Sequence, residues 1–300
     1  MIPPIPVLAG DGIGPIVITE ALRVLRAVGV ERFVPLPFGY GAWLTSGEAL
    51  PAGTLAAVRE AGVALLGAAT SPAVGCTSPI LQLRRALDLD LMVRPAAGLI
   101  LVGHAFEGLY FAPEEAEPRW VVTEVGARRL LDAAFARASR SVTLVDKPTV
   151  LRRQAAIFAA AARPPAGIRF EIVNADAFVA DVLVHRDRYE VIAATSFIAD
   201  VLSDLFAALD GGIGRAPSAS LGATVAVFEP VHGSAPRRAG EVPSRVDPTG
   251  AILAAAMMLE HLGESGRARA IRDAVGEVGP HDGVRPTAEH GAAVAAAVAG

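Results

Sequence analysis

The stretch that decides the fold is Ile5-Pro6-Val7-Leu8-Ala9-Gly10-Asp11-Gly12-Ile13-Gly14-Pro15. Its first four residues form an apolar run with the length of a buried strand, and the glycines that follow are typical of a tight turn. Pro15 suits the first turn of a helix, and the spacing of apolar residues after it predicts an amphipathic helix to about Val28. The stretch therefore predicts one strand–turn–helix unit of an α/β protein.

The same alternation of short apolar runs and helical patterns continues along the chain. It favours a largely parallel sheet with helices on its faces, because parallel strands need a long, usually helical, connection. We predict further strands at residues 33–37, 63–67, 99–102, 141–145, 169–173, 189–194 and 223–228, and further helices at residues 52–60, 80–86, 249–261, 267–275 and near the end of the sequence.

The composition excludes several classes of protein. The chain has 300 residues and a net charge of −4, which suits two domains or one large one. No run of about 18 residues lacks charges and turn formers, and the first residues do not resemble a signal peptide, so we expect a cytoplasmic protein without a membrane span. The scattered arginines argue against nucleic-acid binding. The single cysteine, Cys76, excludes an internal disulfide and is expected to be a buried structural thiol.

Of the 27 basic residues, one, Lys147, is a lysine and all the others are arginines. Arginine does not lose its proton in proteins, whereas burial can tune a lysine amine to exchange a proton near neutral pH. Lys147 is therefore a candidate catalytic residue, and retention by chance is the alternative.

Two glycine-containing loops are candidates for contact with a ligand. Residues 10–14 lie between a strand and a helix, but Pro15 breaks the G-x-G-x-x-G pattern, so a plain tight turn is the alternative. The second loop is Glu229-Pro230-Val231-His232-Gly233-Ser234-Ala235-Pro236-Arg237-Arg238-Ala239-Gly240, which follows a predicted strand. Its turn formers expose backbone donors that suit a nucleotide, and its arginine pair suits a phosphate, although a solvated pair is the alternative.

Charged residues form two further patterns. Arg84, on a predicted helix, and Arg94, in extended backbone before a proline, would together clamp a carboxylate, with solvated surface positions as the alternative. Asp200 and Asp204 share one face of a predicted helix, and their repulsion makes best sense with a cation between them. Carboxylates alone select Mg²⁺ or Mn²⁺. Asp176, at the start of another predicted helix, is either a third ligand or a charge favoured by the helix dipole.

In this order, these segments resemble the metal-dependent β-decarboxylating dehydrogenases, which include isocitrate, isopropylmalate, homoisocitrate and tartrate dehydrogenases. The resemblance implies a two-domain α/β fold with a mixed, largely parallel sheet that is not a Rossmann fold with a glycine fingerprint. It implies a large cofactor-binding domain from residues 1–89 and 212–300, and a small substrate, metal and dimerisation domain from residues 90–211. The matching segments are residues 10–15, 83–95, 107–110, 146–151, 176, 197–204, 217–222, 229–240 and 248–259.

The resemblance assigns roles in catalysis and in binding of a 3-substituted malate. Lys147 would take the proton of the substrate hydroxyl, and Tyr110 would deliver the proton that ends the reaction. In the family, Lys147 and Asp176 reach into the neighbouring subunit's site, which implies a homodimer with shared active sites. The remaining assignments are Arg84 and Arg94 for the substrate carboxylates, Thr77 and Ser78 for the C3 substituent, and Asp176, Asp200 and Asp204 for Mg²⁺ or Mn²⁺.

The resemblance also implies a nicotinamide cofactor. Members of the family that use NAD usually carry an aspartate after Ser-Ala-Pro, whose carboxylate would repel a 2′-phosphate. This chain has Arg237 and Arg238 after that proline, so we expect NADP in preference to NAD. The residues expected to contact the cofactor are Glu229, His232, Gly233, Ser234, Ala235, Arg237, Arg238 and Asp247.

The chain departs from the family pattern at several positions. The family's third substrate arginine falls on Gly103, with His104 in place of a glutamate, and the segment that follows Pro95 is short. Losing one guanidinium from a carboxylate site would cost about 2–3 kcal/mol of binding. Other departures are Ile16 in place of glutamate and Thr149, Ser196 and Asp247 in place of asparagine.

We therefore expect oxidation and decarboxylation of a 3-substituted malate, in a specialised biosynthetic pathway. One alternative is an NAD-dependent 3-isopropylmalate dehydrogenase of leucine biosynthesis, against which the missing arginine argues. A second alternative is a non-catalytic regulatory or ligand-sensing paralogue. Retention of Lys147, Tyr110 and the three aspartates argues against that alternative.

The lysine allows a direct test. Lys147→Arg keeps the positive charge but removes the ability to accept a proton. We expect the variant to fold and bind cofactor normally while kcat falls by about 100-fold or more, which is the usual contribution of a general base. Steady-state kinetics and thermal unfolding measure both effects. Full activity of the variant, or of the unmodified enzyme in excess chelator, would contradict the mechanism.

Overall fold

The structure is a computed structural model that describes residues 2–71, 77–110 and 119–300. The chain divides into two compact units, one formed by Met1–Leu89 with Asp210–Gly300 and the other by Asp90–Leu209. Cys76 lies outside the described residues, so its expected role stays a prediction. Within the described ranges, no helix is long and apolar enough to cross a membrane.

Strands and helices alternate along most of the chain. The strands are β1 (Ile5–Gly10), β2 (Phe33–Pro35), β3 (Val63–Ala68), β4 (Leu91–Ala96), β5 (Leu99–His104), β6 (Ser141–Asp146), β7 (Arg169–Asn174), β8 (Val191–Ala194), β9 (Pro217–Leu221) and β10 (Ala226–Pro230). The helices are α1 (Gly14–Ala27), α2 (Tyr40–Ser46), α3 (Ala52–Ala61), α4 (Pro79–Ala86), α5 (Glu124–Phe135), α6 (Arg152–Ala161), α7 (Ala175–Val182), α8 (Ser196–Leu209), α9 (Thr249–His261), α10 (Ser265–Val278) and α11 (Thr287–Ala299).

The first unit contains strands in the order β2-β1-β3-β10-β9. Neighbouring strands are parallel except β9 and β10, which form an antiparallel pair. The carboxyl ends of β1, β3 and β10 therefore lie at one edge. The core of this unit contains Leu8, Leu66, Leu83, Leu89 and Val227, together with other apolar side chains from strands and helices.

The second unit contains strands in the order β4-β5-β8-β6-β7. Strands β5, β8, β6 and β7 run parallel, and β4 pairs antiparallel with β5. Two residues with positive φ angles, Ala97 (54°) and Gly98 (77°), connect β4 to β5. Two consecutive residues in left-handed conformations are typical of a two-residue hairpin turn. The short segment after Pro95 is therefore this turn.

These sheets confirm the predicted fold class, a mixed and largely parallel α/β arrangement. The prediction did not include β4 and β9, which pair antiparallel with β5 and β10 respectively. Strand β9 has the sequence Pro217-Ser218-Ala219-Ser220-Leu221, whose small polar residues give little strand signal. The strand predicted at residues 223–228 begins at Ala226, because Gly222 donates a backbone hydrogen bond to the Val225 oxygen and closes a turn after β9.

Helix α8 carries two of the predicted metal ligands and packs on the sheet of the second unit. Its buried face includes Ala199, Leu202 and Phe206. Val201, although apolar, is 53% exposed. It lies between Asp200 and Asp204 on the helix, so the outward face combines carboxylates with apolar surface.

At Gly103, α8 and β5 approach each other closely. A Cβ atom at position 103 would lie 2.5 Å from the Cβ of Ala199 and 3.1 Å from the Cε of Met92. Both neighbours are buried core residues. The space in which a side chain would begin at position 103 is therefore filled by the helix.

We expect Gly103→Ala to destabilise the protein by about 1–3 kcal/mol, the usual effect of overpacking a core. The loss should be smaller in an Ala199→Gly background, because the opposing methyl group is absent. Gly276→Ala, with no neighbouring atom within 4 Å of its new Cβ, is the control and should be neutral or stabilising. Urea unfolding of Gly103→Ala, Ala199→Gly, the double variant and Gly276→Ala measures the free energy of coupling between positions 103 and 199. Equal losses from Gly103→Ala in both backgrounds would contradict this packing.

Candidate active site

The parallel strands of the second unit bring four chemically distinct segments to one edge. Strands β5, β6, β7 and β8 pair in register, so their carboxyl ends lie side by side. These ends lead to Tyr110, Lys147, Asp176 and the start of α8, respectively. Ligands of open α/β sheets bind outside the carboxyl ends of strands. The predicted catalytic residues of this unit thus lie where the sheet topology favours a site.

Asp200 is the centre of a polar cluster at this edge. Its Oδ2 accepts a hydrogen bond from the hydroxyl of Tyr110 at 3.1 Å, and its Oδ1 lies 3.7 Å from the Nη1 of Arg94. Arg94 is 9% exposed and also donates from Nη1 to the Oγ of Ser203 at 2.5 Å. The carboxylate of Asp200 is therefore shared between a buried guanidinium and a phenol.

The phenol of Tyr110 is held in its protonated form. Partial burial, the charge of Asp200 and the hydrogen bond to Asp200 all raise the pKa of Tyr110 above its ordinary value. A phenol with a raised pKa keeps its proton at neutral pH and acts as an acid only when the acceptor is strongly basic. A carbanion or enolate carbon is such an acceptor.

Lys147 and Asp176 form an ion pair on the ends of β6 and β7. The Nζ of Lys147 lies 2.5 Å from the Oδ1 of Asp176, and their side chains are 37% and 72% exposed. The hydrogen bond from Lys147 lowers the pKa of Asp176. Thr149 donates to the Oδ1 of Asn174 at 2.9 Å and joins the same two strand ends. A lysine in an ion pair carries its proton and cannot accept another. Lys147 can therefore act as a base only when its pair with Asp176 is broken.

The three predicted metal ligands lie on two helices. Asp200 and Asp204 are exposed and one turn apart on α8, and Asp176 is in the first turn of α7. Among the described residues, no group of three or more His, Cys, Asp or Glu side chains is arranged to hold a metal ion. One chain therefore does not by itself gather Asp176 with the other two aspartates.

The loop at residues 10–14 of the first unit is held by one of its own side chains. The carboxylate of Asp11 accepts backbone hydrogen bonds from Tyr40 at 2.8 Å, Gly41 at 2.9 Å and Thr70 at 2.8 Å. These bonds connect the ends of β1 and β3 with the start of α2. Asp11 is thus a structural residue that the sequence reasoning did not single out, although an aspartate between two glycines is typical of turns.

The loop that follows β10 packs against this turn. The backbone oxygen of Ser234 accepts from the nitrogen of Ile13 at 2.9 Å, and its Oγ accepts from Thr70 Oγ1 at 2.8 Å. His232 is buried, which lowers its pKa, and its Nδ1 lies 3.0 Å from the oxygen of Gly233. Its Nε2 has no partner among the described residues. The loop is therefore fixed, with an imidazole nitrogen still able to accept a hydrogen bond.

The arginine pair of this loop is on the surface. Arg238 makes long contacts of 3.3 and 3.5 Å with Glu241 and donates to the backbone oxygen of Arg245 at 3.3 Å. Exposed pairs of this kind contribute about 0–1 kcal/mol, so a ligand can displace them. Arg237 is exposed and has no ion pair within the described part of the chain. Both guanidiniums are thus accessible to an anion.

Asp247, also expected to contact the cofactor, has a structural function. Its Oδ1 accepts from the backbone nitrogen of Thr249 at 2.9 Å, and Thr249 is the first residue of α9. A carboxylate at a helix N-terminus is favoured by the helix dipole. This contact explains how an aspartate is accommodated at a position where the family usually has asparagine.

Arg84 and Glu229, predicted to contact substrate and cofactor respectively, form an ion pair in the first unit. The Nη2 of Arg84 lies 2.8 Å from the Oε1 of Glu229, which also accepts from Ser220 at 3.1 Å. The Nε of Arg84 is buried without a partner in the described ranges. Sequence reasoning missed this pair because 145 positions separate the two residues.

Thr77 and Ser78 precede α4. The backbone oxygen of Thr77 accepts a hydrogen bond from the side-chain amide of Gln82 at 2.7 Å. Ser78 occupies the N-cap position without a side-chain capping bond. The contact of Thr77 and Ser78 with the C3 substituent stays a prediction.

Comparison with known proteins places the chain in a family. The sequence model of isocitrate/isopropylmalate dehydrogenase matches residues 4–100 and 97–285. The isocitrate/homoisocitrate dehydrogenase of Thermus thermophilus is 36% identical over 89% of this chain and 88% of its own length. The 3-isopropylmalate dehydrogenase of Nocardia farcinica is 35% identical over 97% and 99%. A crystal structure of isocitrate dehydrogenase from Methylococcus capsulatus aligns with a TM-score of 0.90 at 33% identity, covering 99% of both chains.

The chain therefore belongs to the isocitrate/isopropylmalate dehydrogenase family. It is an oxidative, decarboxylating dehydrogenase of hydroxy acids, in a family that depends on a metal ion and NAD(P). Nothing in these comparisons favours a non-catalytic paralogue.

Proposed function

We propose that this enzyme oxidises and decarboxylates a 3-substituted malate with NADP and Mg²⁺ or Mn²⁺, as a homodimer with shared active sites. The observation that carries the proposal is the contact of Tyr110 with Asp200 beside the buried guanidinium of Arg94. This cluster joins an acid, a candidate metal ligand and a cation for a substrate carboxylate. The proposed mechanism uses all three groups.

Two protons must move in such a reaction. Lys147 is the candidate base for the C2 hydroxyl, once its ion pair with Asp176 is broken. Tyr110 is the candidate acid for the carbon from which CO₂ departs, and its raised pKa keeps the proton available. When bound, the divalent cation would lower the pKa of the hydroxyl and the nicotinamide would accept the hydride.

The residues present fit both implied groups. Asp200 and Asp204 offer exposed carboxylate oxygens one helical turn apart, and hard oxygen ligands suit Mg²⁺ and Mn²⁺. Asp176 would complete the metal site from a second copy of the chain. The fixed loop at His232–Ala235 and the accessible guanidiniums of Arg237 and Arg238 suit a dinucleotide phosphate.

The substrate would be held by Arg84 and Arg94, with Thr77 and Ser78 beside the C3 substituent. Gly103 offers no third guanidinium, and the packing of α8 leaves no room for one. This argues against 3-isopropylmalate itself, although the Nocardia farcinica relative carries that name at 35% identity. Because of that relative, a 3-isopropylmalate dehydrogenase that uses NAD is the second candidate function.

The cofactor proposal predicts a measurable preference. Charge-assisted pairs with phosphate contribute about 1.5–3 kcal/mol each, and about 1.4 kcal/mol is a factor of ten. We expect kcat/KM to favour NADP by roughly 10- to 1000-fold, measured for both cofactors with isocitrate, isopropylmalate, homoisocitrate, tartrate and malate. Arg237→Asp should shift the preference towards NAD, whereas Arg186→Asp, an exposed arginine of the other unit, controls for net charge. Equal use of NAD by the unmodified enzyme would show that the arginine pair is only solvated surface.

The dimer proposal predicts recovery of activity from two inactive proteins. Lys147→Ala and Asp200→Ala should each be inactive alone. In a hybrid dimer, one of the two sites keeps Asp200 from one chain and Lys147 from the other. After subunit exchange of equal amounts, about a quarter of the sites of a symmetric dimer are intact, so about a quarter of the activity should return. No recovery despite verified exchange would mean that Lys147 acts within its own chain.

A further inference from the structure

Glu107 lies three residues before Tyr110, on the segment that leads there from β5. Its carboxylate accepts two hydrogen bonds from Thr123, from the backbone nitrogen at 3.0 Å and from Oγ1 at 2.6 Å. Thr123 in turn accepts from the nitrogen of Gly126 at 2.9 Å and caps α5. We propose that Glu107 is a positioning residue that holds the phenol of Tyr110 on Asp200.

The segment is fixed at its other side by α8. The backbone oxygen of Glu107 accepts from the nitrogen of Ser196, the first residue of α8, at 2.8 Å. The Oγ of Ser196 accepts from the nitrogen of Tyr110 at 3.2 Å. The hydroxyl of Tyr110 then reaches Asp200, one turn further along the same helix. The carboxylate and carbonyl of Glu107 thus connect the tyrosine to the starts of two helices.

The carboxylate of Glu107 fits closely against α5. A Cβ atom on Gly126 would lie 2.1–2.2 Å from its carboxyl atoms, so this packing requires a glycine. Unpaired N–H groups and the helix dipole favour a negative charge at this helix start. The side chain is 13% exposed and both of its oxygens accept hydrogen bonds from Thr123, which fits a residue that positions its segment.

The buried neighbour of Glu107 does not take over this function. His104 lies at the end of β5 with its Nδ1 4.0 Å from the Oε2 of Glu107 and its Nε2 2.9 Å from the oxygen of Gly126. Burial lowers the pKa of His104, so the ring is neutral at neutral pH. At 4.0 Å it makes no hydrogen bond that would replace those of Thr123.

Glu190 provides a matched control in the same unit. Its carboxylate accepts hydrogen bonds from Ser139, Arg140 and Ser141 at 2.6–2.9 Å. It precedes β8, at the amino end of that strand, whereas Glu107 follows the carboxyl end of the parallel strand β5. Loss of either carboxylate removes several hydrogen bonds, but only Glu107 lies on the segment of Tyr110.

The experiment compares Glu107→Gln, Gly126→Ala and Glu190→Gln in the full chain. Gly126→Ala displaces the carboxylate without removing it, so it tests the position even if Glu107→Gln does not fold. The chain has three tyrosines, and fluorotyrosine NMR follows each phenol, with Tyr110 assigned by its loss in Tyr110→Phe. We expect the fluorine chemical shift of Tyr110, which reports the surroundings of its ring, to change in the first two variants and to stay unchanged in Glu190→Gln.

Kinetics supply a second measurement, which rests on the proposed function. In Glu107→Gln and Gly126→Ala, kcat should fall by roughly 10- to 100-fold, the effect of a misplaced catalytic group, with KM within about twofold. The solvent deuterium isotope effect on kcat should rise, because proton delivery becomes slower. Glu190→Gln should lose comparable thermal stability without either change.

Two results would overturn the proposal. One is an unchanged fluorine chemical shift of Tyr110 in both Glu107→Gln and Gly126→Ala. The other is the same change in Glu190→Gln, which would indicate general loosening of the unit. If the unmodified protein turns over none of the hydroxy acids, the proposed function fails, and the fluorine chemical shift of Tyr110 still tests whether Glu107 holds its phenol in place.

Discussion

Parallel pairing of β5, β8, β6 and β7 is the constraint on which the candidate active site depends. The register places Gly103 opposite Ala194, and Ala194 opposite Val145, so these strands end together. Residues from four separate parts of the sequence therefore reach one edge. Because side chains alternate between faces, a slip of one residue would move every side chain of a strand to the opposite face of the sheet and break this arrangement.

The candidate site is held by charges that are already paired within each unit. Asp200 contacts Arg94 and Tyr110, Lys147 contacts Asp176, and the predicted substrate residue Arg84 contacts Glu229. A ligand that binds these groups must exchange one partner for another. Such an exchange gives specificity more than raw affinity, because a wrong ligand leaves a charge without its partner.

The departure at Gly103 is part of the core and not a surface change. Ala199 fills the space beside Gly103, and the same helix carries Asp200 and Asp204. The position of these carboxylates thus depends on the absence of a side chain at position 103 of β5. Replacement of Gly103 by arginine alone would displace the helix together with the acidic residues, since packed cores accept added volume poorly.

The sequence by itself determined the α/β alternation, most strands and helices, and the residue types that suit a decarboxylating dehydrogenase, because apolar periodicity and short motifs are local properties. It did not reveal β4, in which an arginine and a proline follow three apolar residues, or β9, which has small polar residues. Both segments pair as strands, with β5 and β10 respectively. Only the tertiary structure decided the pairs Arg84–Glu229 and Tyr110–Asp200 and the role of Asp11. The physical reason is that hydrogen bonds and ion pairs act over a few ångströms, so the fold must first bring together residues that the sequence separates by up to 145 positions.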